Sequence, residues 1–341
     1  MTKTHMRREI EEIPEAVSRL LAGSGAALAA GGEALRTSNP RTIVTIARGS
    51  SDHAAAFLKY AIELTAGVPV ASIGPSIVSI YDRELKLEGC AALAVSQSGR
   101  SPDIVALARS ARRNGALGFA LTNTADSPLA QACDHTIDLR AGPERSVAAT
   151  KSFVSSVVAG LALLAHWQRD DALLAALAAL PDDLERAIGC DWSALSEGIA
   201  ERHSLYVLGR GPALAIAGEA ALKFKETCAI HAEAYSAAEV LHGPARIVEQ
   251  GYPVLALAAR DAAESSVAEI TDRLAGQGAR AFITSDRAAA AERLPFAPAR
   301  HELTDALALV ATFYAFVEAL SRRRGHDPDV PPHLRKVTET L

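Results

Sequence analysis

Aromatic residues make up only 5% of the 341 positions, so the core has to be filled by small and branched aliphatic side chains. Cysteine is scarce as well. The four thiols, Cys90, Cys133, Cys190 and Cys228, show no CxxC spacing, which indicates neither a disulfide framework nor a zinc site. They read as reduced, mostly buried thiols of a cytoplasmic protein. No charge-free apolar run of about 18 residues occurs, and MTKTHMRREIEEIP at the N-terminus carries charges where a secretory signal has its apolar core. A soluble chain with no membrane partner is therefore expected. Charge of one sign is lacking too: the net charge is −5, and the arginines are scattered rather than striped. That argues against nucleic acid as a main partner.

What is present is organised around AALAVSQSGRSPDIVALARSARRNGA, residues 91 to 116. Ala91 to Val95 reads as a buried strand. Ser96, Gln97, Ser98, Gly99, Arg100 and Ser101 form a hydroxyl-rich loop around one glycine. Pro102 and Asp103 then open a helix, since proline suits its first turn and an early acid suits its dipole. Strand, serine loop and helix N-terminus together make an anion site, with backbone N–H groups and hydroxyls converging on one point. A phosphate monoester is the natural guest. The alternative is an ordinary turn in which the serines merely cap the helix.

Further along the chain the same unit recurs. Thr42 to Ala47 is a β-rich run, followed by Arg48, Gly49, Ser50, Ser51 and a helix from His53 to Thr65. Strands are expected at Val68–Ile73, Gly118–Thr122 and His135–Leu139. Helices are expected over residues 6–38, at Ser127–Ala132, and from Lys151 to near Trp167. TIVTIARGSSDHAAAFLKYAIEL matches SLYVLGRGPALAIAGEAALKFKE, and the 91–123 stretch matches YPVLALAARDAAESSVAEITDRLAGQGARAFITSD. The chain thus reads as an internal duplication of two α/β halves, each a parallel sheet between helices. The expected division is an N-terminal helical segment 1–38, a first domain 39–168, a second domain 169–325 and a tail 326–341. The second copy has Ala258, Ala259, Arg260 and Asp261 where the first has its serine loop. One half kept the cradle and the other lost it, which argues that the cradle is a site.

Three other stretches carry ionisable groups. Residues 221–248, placed between the second copy's helix and its next strand, hold Lys223, Lys225, Glu226, His231, Glu233, Glu239 and His242. Lys223 and Glu226 share a helix face, and a carboxylate beside an ammonium can shuttle a proton; a solvated amphipathic helix is the alternative. His242-Gly243-Pro244 reads as a turn. GPERSVAATKSF, residues 142–153, reads either as a linker or as a loop over the phosphate, with Thr150 and backbone amides as donors. In PDVPPHLRKVTETL the terminus is expected either to be disordered or to be anchored by Leu334, Val337 and Leu341, with Lys336 held in place.

At SQSGRSPD the sequence resembles the sugar isomerase (SIS) family. With LGRG, ALKFKE, IHAEAYSAAEVLHGP and LRKVTETL it is similar, over essentially the whole chain, to the isomerase half of glucosamine-6-phosphate synthase. It looks closer still to the SIS-type glucosamine-6-phosphate deaminases, which share IARGSSDHA, SQSGRSPDI and AATKS. The resemblance implies two αβα sandwiches, a homodimer with shared active sites, a hexosamine or hexose 6-phosphate ligand, and neither metal nor cofactor. It implies that Ser50, Ser96, Gln97, Ser98 and Ser101 hold the phosphate and that Ala148 and Thr150 line a substrate loop. It further implies that Glu226, with Lys223 beside it, moves a proton between C1 and C2, and that His242, from the partner subunit, opens the ring. Lys336 would meet the open-chain carbonyl, as an imine or as a hydrogen-bond donor; among cationic neighbours it would do so as a neutral amine.

Two departures from the synthase favour deamination. No glutaminase segment or cysteine after Met1 is seen, and Arg100 stands where the synthase has glutamate. The expected reaction is glucosamine 6-phosphate plus water giving fructose 6-phosphate and ammonia. The alternatives are another aminosugar- or fructosamine-phosphate deaminase, galactosamine 6-phosphate included, or a non-catalytic sugar-phosphate regulator. The regulator reading lacks a DNA-binding region, and the joint presence of Glu226, His242 and Lys336 disfavours it.

Overall fold

The structure, a computed structural model, describes residues 3–336. Among the described residues the chain divides into two compact units, one comprising 12–144, 149–181 and 335–336, the other comprising 3–11, 145–148 and 182–334. The boundary falls within the helix Asp171–Ile188, at its internal Pro181.

The unit built on 12–144 has a parallel sheet of β1 (Thr42–Ile46), β2 (Val70–Ser72), β3 (Cys90–Val95), β4 (Leu117–Thr122) and β5 (His135–Asp138). Their spatial order is β2-β1-β3-β4-β5. Side chains alternate across these strands, as the period of two requires. Val44, Ile46, Ala92, Ala94 and Ala120 face the helices Pro102–Arg113 and Pro128–Ala132. Ile43, Ala91, Leu93 and Phe119 face the other way, toward Leu35, Ile62, Leu163 and Trp167 of the helices Ile13–Ser38, Ser50–Thr65 and Lys151–Gln168. Both faces are covered, which is why the strands read as continuous apolar runs. The scarcity of bulky residues has a use here. A Cβ on Gly32 would lie 2.8 Å from the backbone of His166 and Trp167, so glycine lets two helices cross closely.

The other unit repeats the plan with β6 (Ser204–Gly209), β7 (His231–Ser236), β8 (Pro253–Ala256), β9 (Arg280–Ile283) and β10 (Glu292–Arg293). Its order, β10-β9-β8-β6-β7, is the same topology read from the other edge, and every pairing is parallel. The tandem α/β architecture expected of the duplication is therefore present. The helix Glu302–Arg323 is long and apolar enough to cross a membrane, yet 94% of its most apolar window is buried inside the protein. It is a core helix, with Phe313 and Phe316 stacked edge-on against Phe224.

Two strands escape the periodicity argument. Residues 221–248 do not form one polar connection: the helix Pro212–Cys228 ends inside them, β7 follows, and two short 3₁₀ turns, Glu239–Leu241 and Pro244–Ile247, complete the stretch. β7 is an edge strand whose His231 and Glu233 are exposed, so its sequence lacks the apolar run of a central strand. β10 has only two residues, too few to show any pattern.

Candidate functional site

In a sheet ordered 2-1-3-4-5, the chain leaves β1 and β3 toward opposite faces, and a crevice opens between their carboxyl ends. β1 pairs with β3 in parallel, Ile46 opposite Ala94, so the loops that follow them flank this crevice. The first loop carries Arg48 and Gly49 and leads into Ser50, the first residue of the helix Ser50–Thr65. The second carries Ser96, Gln97, Ser98 and Ser101, the last being the N-cap of Pro102–Arg113. The structure thus brings the sequence-predicted phosphate residues to one crevice mouth.

The geometry of the second loop explains its composition. Gly99 has φ +62°, and a Cβ there would lie 2.2 Å from Ser127 Oγ and 2.9 Å from Thr122 Oγ1. Only glycine fits, since the left-handed backbone alone costs other residues roughly 1–2 kcal/mol. The loop's outward carbonyls are tied down: Gln97 O accepts from Asn123 N–H at 3.1 Å, and Gly99 O from Leu129 N–H at 3.1 Å. Inside it, Ser96 Oγ accepts from Gly99 N–H and Ser98 Oγ from Arg100 N–H. Ser101 makes no side-chain cap bond. The backbone N–H groups of Gln97, Ser98 and Ser101 have no acceptor among the described residues. A half-buried arc of unspent N–H and O–H donors at a helix N-terminus is what an oxyanion needs. The plain capping alternative is weakened, because the serine at the cap position does not cap.

The corresponding crevice of the other unit is spent. Ala258 N–H donates to Thr284 Oγ1, and Arg260 is held bidentate by Asp305 at 2.8 and 3.0 Å. Arg210 is bonded to Ser266 Oγ. The asymmetry seen in the sequence is an asymmetry of available donors.

That unit supplies a different cluster. On Pro212–Cys228, Glu219, Lys223 and Glu226 recur at helical spacing on one face. Lys223 is fully buried; its Nζ lies 2.5 Å from Glu226 Oε2 and 3.3 Å from Glu219 Oε1. Tyr314 donates its hydroxyl to Glu219 Oε1 at 2.8 Å, and Glu219 Oε2 is buried with no hydrogen-bond partner among the described residues. Burial pushes the Glu219 carboxyl up to about 7, with Lys223 pulling against it. Burial opposes the charge on Lys223, but Glu219 and Glu226 outweigh it and hold the ammonium above its ordinary value. Glu226 is the member that reaches solvent, 20% exposed. A carboxylate at a surface, backed by a buried ammonium, is equipped to take up and return a proton. Glu219 and Tyr314 were not singled out from the sequence. The signal for Glu219 was its place four residues before Lys223; nothing local marks Tyr314, which comes from another helix. His242 lies elsewhere in this unit, exposed at the end of the turn Glu239–Leu241.

The loop 142–153 corrects an expectation. Thr150 N–H and Ser152 N–H are already bonded: both donate to Glu144 Oε1 at 3.0 Å, and Ser152 Oγ donates to Glu144 Oε2 at 2.6 Å. An internal carboxylate already occupies the N-terminus of Lys151–Gln168. Thr150 Oγ1 is buried with no partner among the described residues, and Ala148 is fully buried, its carbonyl accepting from Ser146 Oγ. Glu144 also receives Lys336 Nζ at 2.8 Å. Burial would raise this carboxyl, but Lys336 and the Ser152 hydrogen bonds outweigh it and hold it below the usual carboxylate range. The nearest charge to Lys336 is thus an anion, not the cationic neighbours that a neutral-amine route requires. Leu334, expected as an anchor, is 44% exposed. Val337 and Leu341 lie outside the described residues.

Comparison with known proteins agrees with the topology. The SIS domain family matches residues 37–166 and 198–319. A glutamine–fructose-6-phosphate aminotransferase (isomerizing) of Symbiobacterium thermophilum is 34% identical over 97% of this chain, and the chain spans 58% of that protein's length. A crystal structure from Silicibacter pomeroyi, provisionally described as a phosphosugar isomerase, superposes with TM-score 0.93 and 56% identity, over 96% of this chain and 100% of that one. The C-terminal domain of glucosamine-fructose-6-phosphate aminotransferase from Francisella tularensis superposes with TM-score 0.87 and 26% identity, covering 97% and 99% of the two chains. Two parallel sheets of one topology, a serine loop at the first switch point and matches to both halves have one conclusion: this chain belongs to the SIS domain family.

Proposed function

We propose that the chain is an isomerising deaminase of aminosugar phosphates, converting glucosamine 6-phosphate and water to fructose 6-phosphate and ammonia. The observation that carries the reading is the arc of unspent donors from Ser96 to Ser101, which suits a phosphate monoester. In the open-chain sugar, Glu226 takes the proton from C2 and returns one to C1. That turns the amino aldehyde into the imine of the ketose, and water hydrolyses the imine, releasing ammonia. Acid–base work of this kind is worth about 10²–10⁴-fold. The names of the curated relatives favour a second reading, in which the same proton transfer serves amination of fructose 6-phosphate. An ammonia-release assay across glucosamine, galactosamine and fructosamine phosphates, run beside fructose 6-phosphate with ammonium, separates the two.

Ser98→Ala is expected to raise KM for glucosamine 6-phosphate about tenfold, since a charge-assisted hydrogen bond contributes roughly 1.5–3 kcal/mol. Unphosphorylated glucosamine is expected to be a poor substrate. Equal turnover of the two sugars would remove the phosphate cradle from the reading.

His242 is exposed on its turn, and we assign it to the active site of a second copy in a homodimer. A Ser98→Ala subunit mixed with a His242→Ala subunit then forms one intact site per heterodimer and regains activity. If mixing restores nothing, or light scattering finds a monomer, the shared-site arrangement is wrong.

A further inference from the structure

The helix that follows the serine loop carries a negative charge in its first turn. Asp103, the second residue of Pro102–Arg113, is 1% exposed. Its Oδ1 accepts from Ile104 N–H at 2.8 Å. Its Oδ2 accepts from Arg48 Nε at 3.2 Å and from Arg48 Nη2 at 3.1 Å. A carboxylate in the first turn satisfies the helix dipole, but it competes for the same positive field as any anion bound there. Left uncompensated, it repels the doubly charged monoester that the neighbouring donors suit.

Arg48 comes from the other side of the crevice, from the loop after β1. It therefore ties the two switch-point loops together with one guanidinium, which remains 53% exposed while its partner is buried. Its charge also acts on Asp52, whose carboxyl is pushed up by desolvation and pulled back by Arg48. One cation thus serves both acids beside the cradle.

We propose that Arg48 is a positioning residue for the phosphate group, acting through Asp103: it cancels the buried carboxylate so that the serine loop presents net positive potential to a phosphate. The inference rests on the phosphate-cradle reading above and adds a charge requirement to it. It makes a counter-intuitive demand, that removing an acid from the site repairs the loss of a base.

The test is calorimetric binding of fructose 6-phosphate and of inorganic phosphate to the full chain. Arg48→Gln is expected to weaken both by about tenfold, equivalent to roughly 1.4 kcal/mol. Arg48→Lys keeps the charge and is expected to stay within about threefold of the parent. Asp103→Asn in the Arg48→Gln background is expected to restore both affinities to within about threefold, which a merely structural role for Arg48 would not do. If the double variant stays as weak as Arg48→Gln, or Arg48→Gln binds normally, the inference is overturned. Should Asp103→Asn fail to fold, the comparison of Arg48→Lys with Arg48→Gln still decides, because equal losses refute a charge effect. Binding by the parent with no dependence on Arg48 sinks this inference alone; a parent that binds neither probe sinks the cradle reading and this one together.

Discussion

Glu226→Gln is expected to lower turnover of glucosamine 6-phosphate by about 10²–10⁴-fold while leaving sugar-phosphate affinity within a few-fold. The change is isosteric. The amide oxygen can still accept from Lys223 Nζ, which keeps its second partner, Glu219, so the buried ammonium is not stranded. What disappears is a base at the one member of the cluster that reaches solvent. Wild-type product formed in deuterium oxide should carry deuterium at C1, and product from the variant should be too scarce to score. Should Glu226→Gln keep more than half the native rate with an unaltered melting curve, Glu226 is not the proton carrier.

Removing residues 336–341 is expected to damage both turnover and stability, by separable routes. Lys336 is paired at 2.8 Å with Glu144, a carboxylate with no exposed surface on its side chain. Taking away one partner of a buried pair typically costs about 3–5 kcal/mol; three remaining donors, Thr150 N–H, Ser152 N–H and Ser152 Oγ, soften this toward the lower end. At roughly 2–4 °C per kcal/mol, the truncated chain should melt about 6–12 °C lower. Adding Glu144→Gln removes the stranded charge and should recover most of the melting temperature without recovering activity. Glu144 titrates below its ordinary value in the folded protein, so its contribution is present above the unfolded pKa and lost as pH falls through the folded one. The stability gap between parent and truncated chain should accordingly narrow in acid. Full activity in the truncated chain would leave Lys336 a structural clasp. Borohydride trapping with fructose 6-phosphate separates an imine from a hydrogen bond.

The elements legible in the sequence are those whose signal is local. β1, β3, β4 and β6 are apolar runs that end in small or charged loop residues, because strands covered on both faces have no polar side to show. The serine loop was legible because its features lie within one turn of chain: Gly99 for the tight backbone, hydroxyls on either side, Pro102 at the helix start. Lys223 and Glu226 were legible because the helix itself sets their spacing. The duplication was legible because both halves kept that order of elements.

Tertiary structure decided what depends on partners far along the chain. β7 is a strand because β6 offers it an edge, not because HAEAYS has a strong pattern. Tyr314 joins Glu219 across 95 positions, and Lys336 meets Glu144 across 192. Thr150 looks like a donor in sequence, yet Glu144 has already taken its amide. Arg48 and Asp103 each look like ordinary loop and helix-start residues until the β1–β3 pairing sets their loops side by side. Hydrophobic periodicity reports which face of an element is buried. Which charge is neutralised by which other is settled only when the sheet order brings their loops together, since a buried ion's energy depends on partners a few ångströms away in space, whatever their separation in sequence.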